Sequence, residues 1–354
     1  MEKPSVEVNR RVKLENLFDE EIIVEKSSER DKSVFAPIYK KAEKLVDDFK
    51  ENSNNKRDES RLEKMQIVNT ISFEGRRGTG KTSAMMSFCD KLRDQKKLYI
   101  VLDYIDASTL EEGESILEIV LANMYHLLVE HMEKNNKSGH YDYEARNIIR
   151  KFEEIYSAIG FINERRNKDG RRVDLSPLSG LERLSNSQQL KKRVYELIRD
   201  YKKHIASDDA MLVIPIDDID MCFQSEEPSV YEIMETLHRY LMIPNVIIFL
   251  TYDYPELLSG CEKHFSQMHY IKDDITKGQK DHIREAANRY LEKVLPTYAR
   301  IHLPSQRKRD YSDQNNIQVC LENNEEKKYL KKFKKKNNLN PKEFALLFKR
   351  EFPL

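Results

Sequence analysis

The chain has 354 residues, of which 39% are hydrophobic and 34% are charged. This length can bury the core of one large or two ordinary domains, and the high share of charged residues suits long solvated helices. Lys plus Arg and Asp plus Glu both number 61, so the formal net charge is zero. The composition therefore excludes a generally basic nucleic-acid or membrane-surface protein, and leaves only local charged patches open.

The sequence shows no pattern of export or membrane insertion. Its first residues lack the apolar stretch of a signal peptide, and no run of about 18 apolar residues occurs. The cysteines are scattered without the spacing of a metal site, which favours unpaired thiols in a reducing compartment. They are Cys89, Cys222, Cys261 and Cys320. We therefore expect a cytoplasmic protein with no membrane contact.

The hydrophobic pattern changes near residue 64. Before it, 1–35 are predicted to be a mobile arm or a strand contributed elsewhere, 36–49 a helix and 51–63 a loop. After it, short apolar runs alternate with helical segments, which predicts an α/β fold with a parallel sheet and helices on both faces. The predicted strands are 65–73, 98–103, 211–217, 246–251 and 299–303, and the predicted helices between them are 81–93, 112–133, 229–241 and 280–295.

The segment ISFEGRRGTGKTS reads as strand, glycine-rich loop and helix, and matches the phosphate-binding pattern G-x-x-x-x-G-K-[ST]. Glycines let backbone N–H groups surround phosphates, and the helix directs the positive end of its dipole at them. Lys81 is predicted to reach the β- and γ-phosphates of ATP, and the Thr82 hydroxyl to ligate Mg²⁺. The predicted nucleotide-binding residues are Gly75, Arg76, Arg77, Gly78, Thr79, Gly80, Lys81, Thr82 and Ser83.

Two points about this loop stay open at the sequence level. A chance glycine-rich turn is the alternative to a phosphate site, but the strand-to-helix context argues against it. Arg76 and Arg77 face either an oligomer neighbour, a bound partner or solvent.

The strand predicted at 211–217 runs directly into carboxylates, in the sequence MLVIPIDDID. This resembles a Walker B motif. Asp217 is predicted to orient Mg²⁺ through the water shell of the ion, and Asp218 to position or deprotonate the attacking water. Many related ATPases carry glutamate at the second position, so the shorter Asp218 is compatible with slow hydrolysis. Asp220 is interpreted as a cap of the loop that follows.

Two further segments carry candidate catalytic residues. Thr251 ends the strand in NVIIFLTYDYPELL and is either a sensor hydroxyl for the γ-phosphate or an ordinary strand end. The segment NRYLEKVLPTYARIHLP contains Arg289, Lys293 and Arg300. This segment resembles a region of AAA+-like ATPases in which a basic residue often reaches the nucleotide of a neighbouring subunit as an arginine finger. The resemblance implies that role for one of the three, with Arg289 first. Ordinary surface basic residues are the alternative.

The order of parts from 65 to 304 resembles the additional-strand P-loop ATPases of the AAA+, STAND and KAP neighbourhood. The phrases GRRGTGKTS, IPIDDIDM, LHRYLMIPNVIIFLTYD and YLEKVLPTYARIHLP resemble the ATPase components of bacterial anti-phage systems of the RADAR type. This resemblance implies a ring-forming homo-oligomeric ATPase that uses ATP and Mg²⁺. It also implies an effector partner such as an adenosine deaminase.

We predict three regions from these patterns. Residues 1–63 form an N-terminal arm and helix, 64–304 a P-loop ATPase core, and 305–354 a basic, partial helical lid with a short helix at 341–352. Within the core, 134–210 form a helical insertion, with helices near 143–164 and 187–205 joined by a loop. An insertion of this length is usually functional or an oligomer contact.

Three other functions stay open. A nucleic-acid-remodelling ATPase is compatible with the lysine-rich run 327–336, although a solvated helix face explains that run more simply. A nucleotide-binding switch with little turnover is compatible with aspartate at position 218. A small-molecule kinase also uses a P-loop, but no acceptor site or short arginine-rich lid is visible. No guanine-specific N-K-x-D motif occurs, and residues 35–38 are the predicted adenine location.

Overall fold

The computed structural model describes residues 35–55, 67–111, 113–135, 143–163, 177–224, 229–269 and 276–303. Residues 1–34 of the predicted N-terminal arm, the lysine-rich run at 327–336 and the predicted helix at 341–352 lie outside the described residues. So does Cys320. The predicted boundaries of the three regions stay predictions.

A six-stranded parallel sheet lies at the centre of the described part of the chain. The strand order is β2–β4–β5–β1–β6, and β3 also pairs with β4. The strand leading into the glycine-rich loop and the acidic strand are therefore separated by β5, as an additional-strand fold requires. The strands are β1 (Thr70–Glu74), β2 (Tyr99–Val101), β3 (Ile105–Asp106), β4 (Met211–Asp217), β5 (Val246–Tyr252) and β6 (Arg300–His302).

Helices cover both faces of this sheet. Helices α1 and α2 pack on one face, and α3 to α8, including the insertion helices, form the core with the other. The helices are α1 (Ala36–Asn55), α2 (Lys81–Arg93), α3 (Ile116–Asn135), α4 (Tyr143–Asn163), α5 (Pro177–Ile205), α6 (Val230–Thr236), α7 (Tyr254–His269) and α8 (Lys277–Val294). The predicted α/β fold class is confirmed.

The two central strands show why the apolar runs are continuous. Every residue of β4 and β5 is buried, and alternate side chains enter the two opposite cores. On the α2 side, the rings of Phe73 and Phe88 both contact Phe249 edge-on, at centroid distances of 5.9 and 5.6 Å. This packing fixes α2, and thus the loop before it, against the sheet.

The segment predicted as helix 229–241 changes its winding near the end. After α6, residues Leu237–Leu241 form a π-helical turn. The buried Asn69 amide nitrogen, just before β1, lies 3.1, 3.2 and 2.9 Å from the carbonyl oxygens of Leu241, Ile243 and Val246. A side chain before β1 thus satisfies carbonyl groups at the entry to β5, which couples the two strands at their amino-terminal ends.

Several predicted boundaries were wrong. Helix α1 continues through Asn55, into the predicted loop 51–63, and α5 begins at Pro177 rather than near 187. Proline is favoured in the first turn of a helix, where its missing N–H has no partner to lose. Strand β1 begins at Thr70, and the short β3 and the whole of α7 were not predicted. In the described part of the chain no helix is long and apolar enough to cross a membrane.

Candidate functional site

The loop between β1 and α2 has the geometry of an anion cradle. Gly78 and Gly80 adopt left-handed backbone angles, with φ of 77° and 84°. The N–H and hydroxyl of Thr79 both donate to the Arg76 carbonyl, at 3.1 and 2.8 Å, and close the turn. Gly80 is the N-cap of α2 and supplies no side-chain cap. Gly80 therefore offers no side chain that would compete with an anion at the positive end of α2.

The residues around this loop leave little room for side chains at its glycines. A Cβ atom on Gly75 would lie 2.5 Å from the Thr79 hydroxyl oxygen, and one on Gly80 would lie 2.8 Å from Cζ of Phe35. Phe35, just before α1 and within the predicted adenine location, therefore lies directly against the loop. Arg76 and Arg77 are exposed.

Three hydroxyl groups from separate segments converge on Asp217. The Oδ2 atom accepts hydrogen bonds from Thr82 Oγ1 at 2.8 Å and from the Tyr104 hydroxyl at 3.0 Å. The Oδ1 atom accepts one from Thr251 Oγ1. Asp217 is only 2% exposed. The fold thus joins the glycine-rich loop, the acidic strand and the tip of β5 at one carboxylate.

Asp218 has a strained backbone and a perturbed carboxyl group. Its φ is 48°, in the left-handed region, and its N–H donates to Thr251 Oγ1 at 3.0 Å. Burial, then the neighbouring charge of Asp217, raises the pKa of Asp218 from 3.8 to about 6, against the opposing effect of Lys81. A carboxyl group with a pKa near neutrality can accept a proton at physiological pH. Thr251 therefore contacts both acidic residues.

Asp220 belongs to this site rather than capping the loop that directly follows it. It is 4% exposed, and its side chain accepts a hydrogen bond from the backbone N–H of Asp253, after β5. Its Oδ1 atom is buried and has no hydrogen-bond partner among the described residues. Burial raises the pKa of Asp220, and the nearby charge of Lys81 lowers it. Lys81 itself is buried, so one buried cation faces several carboxylates.

This donor set fits Mg²⁺ bound together with a phosphate ligand. The Thr82 hydroxyl and the Asp217 carboxylate are adjacent hard oxygen donors. Within the described ranges, no cluster of three or more His, Cys, Asp or Glu residues could hold a metal by itself. Mg²⁺ usually takes only one or two protein carboxylates and completes its shell with phosphates and water.

The three candidate arginine-finger residues differ in their surroundings. Arg300 is buried: its Nε donates to the Leu295 carbonyl at 2.8 Å, and its guanidinium lies 4.5 Å from the Tyr254 ring centroid. It is held inside its own subunit. Arg289 and Lys293 are exposed on α8, where Arg289 pairs with Glu285. These two stay available to a neighbouring subunit, and the finger assignment stays a prediction.

Comparison with known proteins gives the family. The profile of the KAP family P-loop domain matches residues 62–348, most of the chain. The chain belongs to the KAP family of P-loop NTPases. No curated protein matches its sequence. The predicted place in the P-loop ATPase neighbourhood that includes KAP is thus confirmed. The matched residues include the glycine-rich loop, which supports nucleotide binding at that loop.

Proposed function

We propose that this KAP domain is a Mg²⁺-dependent ATPase. The observation that carries the proposal is the convergence of Thr82, from the glycine-rich loop, and Thr251, from β5, on Asp217, with Asp218 directly beside them. In P-loop NTPases the Ser or Thr of the loop and the acidic residue after the strand hold the metal ion. Adenine as the base rests on the family resemblance and on the absence of a guanine motif.

Each residue then has a defined task. Lys81 and the start of α2 would bind the β- and γ-phosphates, and Thr82 and Asp217 would hold the metal ion. When bound, Mg²⁺ neutralises charge that develops on the phosphate oxygens. Asp218 accepts a proton from the attacking water as its oxygen bonds to the γ-phosphorus and the bond to ADP breaks. The Thr251 hydroxyl fixes the Asp217 carboxylate and the Asp218 backbone relative to each other, because it donates to the first and accepts from the second.

We extend the proposal to the biological role. The four phrases quoted above, which resemble ATPases of RADAR-type anti-phage systems, support an oligomeric ring that controls an effector such as an adenosine deaminase. The exposed Arg289 and Lys293 on α8 are compatible with a contribution to the nucleotide of a neighbouring subunit. The test is phage plating on cells that carry the chain with its effector. Protection against phage should disappear with Lys81→Ala. If the variant still protects, ATP binding is not needed for the anti-phage role.

The biochemical test is phosphate release from ATP by the purified chain, with its mass followed by light scattering. We expect release that requires Mg²⁺, is lost in Lys81→Ala and Asp218→Asn, and rises with self-association. Asp209→Asn is the matched control, because Asp209 is exposed just before β4, at the end of that strand opposite to Asp217. Arg289→Ala should lose release while keeping nucleotide binding. Release by Asp218→Asn at the wild-type rate would contradict the base assignment.

A nucleotide-binding switch with little turnover is the second candidate. It is favoured by the short Asp218 side chain on a left-handed backbone, which restricts where the carboxyl group can reach. This candidate predicts that ATP binds in a Lys81-dependent way and changes the oligomeric mass, while no phosphate appears at any protein concentration. Steady phosphate release without an added acceptor would exclude both this candidate and a small-molecule kinase.

A further inference from the structure

Tyr104 is a part of the site that sequence motifs do not mark. It lies between β2 and β3, beside the carboxyl-terminal end of β4, because Ile105 pairs with Ile216 and Asp106 with Asp217. Its ring packs against the apolar core formed with α1 and α2. Its hydroxyl group is thereby directed to Asp217 Oδ2, at 3.0 Å.

The hydrogen bonds of Asp217 leave it little freedom. An ionised carboxylate offers about four acceptor positions. Thr82 and Tyr104 occupy the two on Oδ2, and Thr251 occupies one on Oδ1. About one position therefore remains, on Oδ1, for a metal ion or a water molecule bound to it. With donors on both oxygen atoms, rotation of the carboxylate would break at least one charge-assisted hydrogen bond.

The Tyr104 phenol can act only as a donor in this position. An ionised carboxylate can only accept hydrogen bonds, so the Tyr104 hydroxyl is the donor of its bond to Asp217 Oδ2. Its bond to Asp217 also does not depend on Thr82. A metal ion that takes a lone pair of the Thr82 hydroxyl would leave the Tyr104 contact in place.

We propose that Tyr104 is a positioning residue for the Mg²⁺–nucleotide complex: it holds the Asp217 carboxylate in a single orientation with one acceptor position open to the ion's shell. The proposal rests on the proposed nucleotide function of the same site. Partners that orient a metal ligand typically change metal affinity by about 10- to 100-fold when they are removed. Tyr104 makes one of three such contacts, so we expect the lower end of this range.

The experiment measures binding of a fluorescent, non-hydrolysable ATP analogue as a function of Mg²⁺ concentration. For Tyr104→Phe, the Mg²⁺ concentration at half-saturation should rise about 10-fold, while the affinity for the analogue in EDTA stays at the wild-type value. Thr251→Val, which removes the donor to the other oxygen, should change the Mg²⁺ requirement in the same direction. Tyr99→Phe is the matched control, because Tyr99 is a buried tyrosine on β2 that lies on the core face rather than at Asp217.

The outcomes separate this inference from the proposed function. If the wild type binds the analogue with Mg²⁺ and Tyr104→Phe needs the same Mg²⁺ concentration, the positioning role of Tyr104 is overturned and the nucleotide function stands. If Tyr104→Phe weakens binding equally in Mg²⁺ and in EDTA, Tyr104 is only a packing residue and the inference is again wrong. If the wild type binds no analogue under any condition, both proposals fail.

Discussion

Replacing Asp218 by Asn removes a carboxylate that folding places beside Asp217 and Asp220. We expect Asp218→Asn to be more stable than the wild type, although it is inactive. Asparagine keeps nearly the same shape and tolerates the left-handed backbone at this position, where φ is 48°. The change therefore isolates the electrostatic cost of an ionised Asp218 in the nucleotide-free protein.

The size of the effect follows from the pKa. A pKa that rises from 3.8 to about 6 in the folded protein corresponds to about 3 kcal/mol of unfavourable interaction for the ionised form. Because Asp218 is only half-buried, solvent screening reduces this to about 1–1.5 kcal/mol. With an unfolding entropy of about 2 cal/mol/K per residue, a chain of 354 residues gains about 2 °C in Tm.

The difference in stability between Asp218→Asn and the wild type should depend on pH. The folded pKa of Asp218 lies above the unfolded value, so the wild type loses stability as pH rises from about 4 to about 6, where the carboxyl group ionises only at a cost. The variant has no such loss. Thermal unfolding without Mg²⁺ or nucleotide should therefore show a small difference near pH 3.5 and the full difference near pH 7.5. An equal or lower Tm for Asp218→Asn near pH 7.5, relative to Asp209→Asn as control, would refute the reasoning.

Three further predictions test the fold around the site. Gly80→Ala should abolish nucleotide binding and destabilise the chain by more than Gly78→Ala does. Both glycines have a left-handed backbone, but only a Cβ atom at position 80 would also meet a neighbouring ring. A calorimetric titration with nucleotide and a urea denaturation curve for each variant check this. Arg300→Met should lower the free energy of unfolding by about 2–3 kcal/mol, since it removes a buried donor pair, and unchanged urea denaturation would contradict it. Asn69→Ala should lower the free energy of unfolding by about 2 kcal/mol, because the Asn69 amide donates to carbonyl groups at the entry to β5. Urea denaturation measures this loss as well.

Much of the nucleotide site was predictable because its chemistry is local in sequence. The glycine-rich pattern predicts a strand, a turn and a helix together, and the predicted helix 81–93 and strand 211–217 agree with α2 and β4 at both ends. The predicted place of Thr251 at a strand tip between the loop and the acidic strand also agrees with the fold. Whether these residues act as predicted is a question for the variants above.

The parts that escaped prediction depend on contacts between distant segments. Nothing near Tyr104 in the sequence marks it, because its role arises only when β2 and β3 lie beside β4. The burial of Asp220 likewise depends on the backbone after β5. Arg300 could not be told apart from Arg289 by residue type, since only the fold brings Arg300 against Tyr254 and the Leu295 carbonyl. Pattern and spacing identify residue chemistry, but not which side chains the fold turns inward.

The lengths of the outer strands limit how copies of this chain can associate. Among the described residues, the outer strands are β2 and β3 on one side of the sheet and β6 on the other, with three, two and three residues, whereas the central β4 and β5 have seven. At β6 the Lys41 ammonium also occupies the Arg300 carbonyl, at 2.6 Å. Short, partly covered edges offer few free backbone groups for another strand to join. Any assembly of these subunits should therefore form through helix surfaces, whose side chains can specify a closed arrangement, rather than through open-ended extension of the sheet.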